Sequence, residues 1–182
     1  VECMYGYKAM LSYVNNQKKS VRNDKPVLGP YHVNKAGSSD MYFKGSLMLH
    51  TLRTLIGNDQ LWFEIIMGIS TDFQYQVIDT QDIIDYINKR TNKDFSYLFN
   101  QFLKNKDIPE FEYNLEKEGR NTTLVCKWNA IDNFEMPLLI NTGKDDFWIY
   151  PTNEFKEINL GHFDRSAFQI RSDLFLIDIK KQ

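Results

Sequence analysis

The residues in this 182-residue chain that could carry chemistry are few and scattered. Its three histidines are His32, His50 and His162. Two imidazoles one turn apart on a helix, as in H-E-x-x-H, could share a metal ion. These three lie far apart and form no such pair. Cys3 and Cys126 are also distant and show no metal-ligand spacing, so we expect two free thiols behaving as small hydrophobes. No G-x-S-x-G elbow or phosphate loop occurs. Acidic residues are plentiful, but their spacing selects no carboxylate pair. One segment stands apart: Asp40-Met41-Tyr42-Phe43-Lys44-Gly45, followed by Met48-Leu49-His50, Leu52-Arg53 and Ile56-Gly57-Asn58-Asp59. Taken alone, it serves a packing tyrosine at a helix start as well as a functional phenol.

The elements that must hold these residues read as helices first. Met4, Tyr7, Leu11 and Val14 recur at helical spacing, predicting a helix over 1–16 with one apolar face. A long loop follows, punctuated by Pro26, Gly29-Pro30 and Gly37-Ser38-Ser39. Loops of this length are often functional. Ser38, Ser39 or Asp40 can then cap a second helix by accepting a backbone N–H bond. Met41, Gly45, Met48, Leu49, Leu52 and Ile56 form its predicted buried stripe, with Gly45 admitting a close neighbour. Gly57 ends it, and Asn58 or Asp59 opens a third helix carrying Leu61, Trp62, Ile65, Ile66 and Ile69. Thr80 starts a fourth, with Asp82 favourably placed in the first turn and Ile83, Ile84 and Ile87 inward. Asp94 caps a fifth, carrying Phe95, Leu98, Phe99, Phe102 and Leu103. Short connections make these helices a compact bundle.

Past Pro109 the period falls to two. Phe111, Tyr113 and Leu115 alternate with charged residues, and Leu124, Cys126 and Trp128 alternate in the same way. Met136, Leu138 and Ile140, then Phe147 and Ile149, then Phe168 and Ile170, continue the pattern, and Leu174 to Ile179 is β-rich. Turn residues between these runs predict a small antiparallel β-sandwich. The sequence therefore predicts an α+β chain: a helical bundle over 1–108 and a β-sandwich over 109–182. Proline at the boundary blocks further helix.

Composition bounds the partners. With 42% hydrophobic and 25% charged residues the chain is globular rather than disordered. A net charge of −2 supplies no broad basic field, so no nucleic-acid partner is expected. No apolar run approaches the ~20 residues that span a bilayer. The chain opens at Val1 with helix-like sequence and no leader-like segment, which reads as an excised fragment. Compartment and organism stay open, a bacterial cytoplasmic or exported protein among the options.

The segment around Tyr42 resembles the aminopeptidase N-type zinc metallopeptidases, the gluzincins that include leukotriene hydrolase. In that family a Tyr-x-Lys-Gly element opens a helix rich in Leu and Met, which closes with an arginine near Ile-Gly-x-Asp. An aromatic helix follows, matched here by Trp62-Phe63. Thr80-Gln81-Asp82 looks like the family's Thr-x-Asp helix start. Phe99-Asn100-Gln101-Phe102 looks like its Phe-x-x-Trp element, with Phe102 in place of tryptophan, and Ile108-Pro109 fits the proline beyond. The ordered likeness runs from Val1 to Pro109. Val1-Glu2 matches only the end of the family segment that carries the third zinc ligand, so Glu2 is not that ligand.

The resemblance implies a fold and a division of labour. The helical part would be the C-terminal half of a gluzincin catalytic domain, and the β-sandwich a spacer and packing partner. Tyr42 would be catalytic, its hydroxyl donating to the oxyanion formed as zinc-activated water attacks a peptide carbonyl. The metal ligands, including H-E-x-x-H, would lie in an upstream catalytic domain of the same chain. The full-length protein would be a zinc-dependent aminopeptidase acting on peptides. The fragment would bind no zinc and show no activity. The alternative is a noncatalytic scaffold or binding module of the same fold.

Overall fold

A computed structural model describes residues 1–182, Glu118 by its backbone alone. Helix α1 (Glu2–Gln17) runs one residue past its predicted end and is broken at Gly6, where φ is 81°. Only Met10 is buried along it; Leu11 and Val14 are half-buried against the core, while Met4 and Tyr7 are exposed. The predicted apolar face of α1 is thus half used.

The long loop that follows is tied to itself and to the bundle. The Ser38 N–H donates to the Pro26 carbonyl at 2.9 Å and the Leu28 N–H to Leu103 at 3.0 Å. A Cβ on Gly37 would stand 1.8 Å from the Val27 carbonyl oxygen, so this crossing admits only glycine. A short 3-10 turn (Ser39–Met41) closes the loop, capped by the Ser38 hydroxyl accepting from the Asp40 N–H.

Helix α2 (Phe43–Ile56) buries Leu47, Met48, Thr51, Leu52, Leu55 and Ile56. The predicted stripe was therefore rotated: Met48, Leu52 and Ile56 are inward, but Met41 and Leu49 are 45% and 40% exposed. Leucine and methionine occur on both sides of this helix, so spacing alone did not choose the core side. Gly45 faces open space, with nothing within 4 Å of a Cβ built on it, rather than a close helix. Gly57, at φ 66°, ends the helix by donating to Arg53 O at 3.1 Å.

Helix α3 (Asp59–Asp72) is capped by Asn58, whose side chain accepts from the Leu61 N–H at 3.1 Å. It buries Trp62 and Ile65 and leaves Phe63, Ile66 and Met67 exposed. Helix α4 (Thr80–Thr91) begins where the sequence placed it, under a reciprocal Asp79–Asp82 capping box. Helix α5 (Ser96–Phe99) continues as a π-helical turn (Asn100–Lys104), and Asp94 accepts from the Ser96 N–H at 2.8 Å.

Helices give way to strands between Lys104 and Glu110. One sheet has the order β5-β2-β1-β7 and the other β4-β3-β6. The strands are β1 (Glu110–Glu118), β2 (Asn121–Asn129), β3 (Leu138–Asn141), β4 (Asp146–Ile149), β5 (Lys156–Asn159), β6 (Gln169–Ile170) and β7 (Asp178–Lys181). The architecture is α+β, a helical part followed by a small β-sandwich. Every strand pair is antiparallel except β1 with β7. In β2 the alternation is complete, with Thr122, Leu124, Cys126 and Trp128 buried. The Trp128 indole N–H donates to Met136 O at 3.0 Å, and its ring meets Phe111 and Phe134 edge-on.

Leu174 to Ile177, read from sequence as strand, is a buried clasp instead. Its backbone bonds run to the helices: the Leu176 N–H donates to Thr51 Oγ1 at 2.9 Å, and Leu174 O accepts from Thr54 Oγ1 at 3.3 Å. Asn15 of α1 donates to Asp173 O at 2.8 Å. Helical and sandwich residues join here in one continuous apolar cluster.

Candidate functional site around Tyr42

Tyr42 sits between the 3-10 turn and the first turn of α2. Its N–H donates to Ser39 O at 3.3 Å and its carbonyl accepts from the Ser46 N–H at 3.0 Å. The main chain is thus held while the side chain is 73% exposed. Beside it opens a pocket of about 400 Å3, lined by Lys19, Ser20, Val21, Arg22, Ser39, Tyr42 and Phe43.

Asp40 assembles that pocket without facing it. Its buried carboxylate accepts from the Arg22 N–H at 2.9 Å and the Asn23 N–H at 2.7 Å. The stretch after α1 is thereby fixed two residues from Tyr42. Ser38, also buried, donates its hydroxyl to Asp24. That bond holds the Asp24 carboxyl below its ordinary range.

Lys44 turns the other way. Its ammonium donates to Asn105 O at 3.1 Å and Lys106 O at 2.6 Å, just past the end of the α5 π-turn. Burial lowers its pKa, and the carboxylates of Asp40 and Asp107 oppose that shift. Lys44 is therefore a structural cation, tied to carbonyls at a helix C-terminus where the peptide dipoles favour positive charge.

Arg53 forms the second polar node on α2. Its guanidinium bonds both oxygens of Glu2, at 2.6 and 3.2 Å, and both oxygens of Asp59, at 2.8 and 2.9 Å. Planar bidentate pairing of this kind fixes orientation as well as charge. These bonds to Arg53 hold Glu2 and Asp59 below the ordinary carboxylate range. Sequence reading singled out Arg53 in its motif but missed the pairing, because Glu2 lies on another helix.

The histidines stay apart in role. His50 is half-buried on α2, its Nε2 enclosed without a hydrogen-bond partner among the described residues, and burial lowers its pKa. His162 Nδ1 lies 2.8 Å from Arg120 O in the sandwich. His32 is exposed in the long loop. Among the described residues no three of His, Cys, Asp and Glu are grouped to hold a metal ion. Cys3 is exposed and Cys126 buried, both free, and burial pushes the Cys126 thiol up to about 11. No helix is long and apolar enough to cross a membrane among the described residues.

Large apolar side chains are exposed on three helices of the bundle. Met41, Phe43 and Leu49 flank the site, Met4, Tyr5 and Tyr7 project from α1, and Phe63 and Met67 project from α3.

No protein-family model matches the chain, and no curated protein matches it. Among solved structures it is similar to Legionella pneumophila aminopeptidase A in complex with aspartic acid. The TM-score is 0.66 at 17% identity, covering 80% of this chain and 18% of that one. The chain shares the fold of one part of that structure. At this identity the likeness speaks for the fold alone, and the chain corresponds to a small part of that aminopeptidase's length.

Proposed function

We propose that this chain is the C-terminal part of a zinc-dependent aminopeptidase of the aminopeptidase N type, to which it contributes Tyr42 as oxyanion donor. The observation that carries the reading is the position of Tyr42. Its phenol stands free at the head of a helix, over an open pocket, in a fold shared with a known aminopeptidase. A phenol O–H aimed at a carbonyl oxygen gains strength as that oxygen takes on negative charge, so it stabilises the transition state more than the bound peptide.

Among the described residues no side chains group to hold a metal ion, and on this reading the zinc and its ligands belong to another part of the polypeptide. The exposed apolar residues of α1, α2 and α3 supply the surface against which that part packs. The substrates are peptides. The sandwich, joined to the bundle through the Leu174–Ile177 clasp, braces α2 from behind.

The test is Tyr42→Phe in the full-length protein, assayed on aminoacyl substrates. We expect kcat to fall by about 10²–10³, the size of a lost oxyanion-hole donor, with KM little changed. An unchanged kcat would overturn the role of Tyr42. The 182-residue chain alone is expected to hydrolyse no peptide and to bind no stoichiometric zinc.

A further inference from the structure

We propose that Lys19 and Arg22 form a carboxylate-binding subsite beside Tyr42, so that the peptide bound there presents an acidic side chain or its own C-terminal carboxylate to them. The proposal rests on the reading of Tyr42 given above and adds a substrate class to it.

Three observations meet at this pocket. First, its wall contains two cations, Lys19 and Arg22, and no acidic residue. Second, neither cationic side chain has a carboxylate or a carbonyl partner among the described residues; Arg22 meets Asp40 only through its backbone N–H, which both carboxylate oxygens accept. Lysines and arginines that approach the interior are engaged, Lys44 with two carbonyls, Arg53 with Glu2 and Asp59, Lys18 with Ser172 O, whereas Lys19 and Arg22 are exposed at the pocket wall. Third, the backbone that presents Arg22 is clamped by buried Asp40, which spends its carboxylate on the Arg22 and Asn23 N–H groups. The Asp40 carboxylate is thus turned inward and held, and the two cations line the pocket without it.

A concave site lined by one sign of charge focuses its field and raises the local concentration of the opposite charge. Arg22 offers a planar fork suited to a carboxylate and Lys19 a mobile point charge. Phe43 and Val21 supply apolar wall for the chain of the ligand. Asp40 acts as a positioning residue, since it ties the Arg22 backbone to the turn that presents Tyr42.

The test is a titration of the isotopically labelled 182-residue chain, followed by NMR, with three capped amino acids. N-acetylalanine carries a C-terminal carboxylate, N-acetylaspartic acid amide carries a side-chain carboxylate, and N-acetylalanine amide carries neither. At least one carboxylate probe is expected to shift the backbone resonances of Lys19 to Arg22 and of Tyr42, and which one responds identifies the source of the charge. The neutral probe should leave them in place. The double variant Lys19→Ala/Arg22→Ala, both exposed positions, is expected to weaken the carboxylate probe about fivefold or more, in line with two screened ion pairs. Equal response to the neutral probe, undiminished binding by the double variant, or no response to either carboxylate would overturn the proposal. The titration needs no turnover, so loss of the catalytic reading and loss of the anion subsite register separately.

Discussion

Tyr42 and Lys44 stand two residues apart at the head of α2 and face opposite ways: the phenol is 73% exposed, while the lysine is 1% exposed and bonded to Asn105 O and Lys106 O. A turn of about 200° separates side chains at this spacing. One short motif thus divides into an outward group and an inward anchor. The two should respond differently to substitution. Lys44→Met keeps the stem but leaves two carbonyls without their charged donor, and we expect a loss of about 1–3 kcal/mol of stability. Tyr42→Phe in the same chain should stay within about 0.5 kcal/mol. Urea unfolding of both variants checks this, and equal losses would contradict the division.

Gly45 gives a second contrast. In a helix interior glycine is about 0.5–1 kcal/mol worse than alanine, and here nothing lies within 4 Å of an added Cβ. Gly45→Ala should therefore stabilise the isolated chain by about that amount, read as a higher urea midpoint at unchanged slope. On the proposed reading, in which an upstream part packs on the outer face of α2, the same methyl in the longer protein should lose this gain or reverse it. A gain of equal size in both settings would mean that nothing packs closely on Gly45.

What the sequence disclosed follows from which forces act locally. The start of α4 at Thr80, the Gly57 stop and the alternation of β1 and β2 are fixed by neighbours in the chain, and all were legible; the Asp79 half of the α4 capping box was not. The inward faces of α2 and α3 were not fully legible, because Met41, Leu49, Ile66 and Met67 place apolar groups on sides that the bundle does not use. Strand β5 escaped notice because Lys156-Glu157-Ile158-Asn159 is a polar edge strand recruited by pairing with β2. The Leu174–Ile177 clasp read as strand because its apolar run is continuous, and only the tertiary fold tells a covered coil from a sheet strand. Tyr42 could be found through its motif. Lys19 and Arg22 could not, since the bond from Asp40 across the long loop brings them beside it.

The Glu2–Arg53–Asp59 node joins the starts of α1 and α3 to the end of α2. Arg53→Ala removes four charge-assisted bonds and the approach of the guanidinium to the Phe63 ring at 5.5 Å, so it should cost about 1–3 kcal/mol. Asp59 is largely exposed, and Asp59→Asn should cost no more than about 0.5–1 kcal/mol. In a double-mutant cycle the Arg53 and Asp59 losses should add to more than the combined variant loses, because they share bonds. Strict additivity would show that the pair does not interact. Salt at 0.5 M should shrink the Asp59 effect more than the Arg53 effect, as screening acts on exposed charge first.

Glu112 sets an acid limit on the sandwich. Its carboxylate accepts from Asn129 Nδ2 at 2.7 Å on β2 and from the Gln182 side chain, and Lys180 of β7 lies 3.5 Å away with Lys127 at 3.9 Å. Hydrogen bonds from Asn129 and Gln182 are the main reason its pKa falls from 4.5 to about 2, with the two lysines adding to the shift. A carboxylate whose pKa is depressed on folding binds its proton more readily in the unfolded chain. Its stabilising contribution is therefore complete above pH about 4.5 and is lost as pH falls from there through about 2. Glu112→Gln removes that contribution, so the variant should be less stable than the parent at pH 6 and should converge on it as pH drops to 2.5. Urea unfolding of both proteins across this range measures the gap. A constant gap would mean that the proton does not distinguish the folded from the unfolded chain at Glu112. Protection of the Gln182 N–H bonded to Tyr113 O, taken relative to the intrinsic exchange rate at each pH, should fall over the same window as the β1–β7 pair opens.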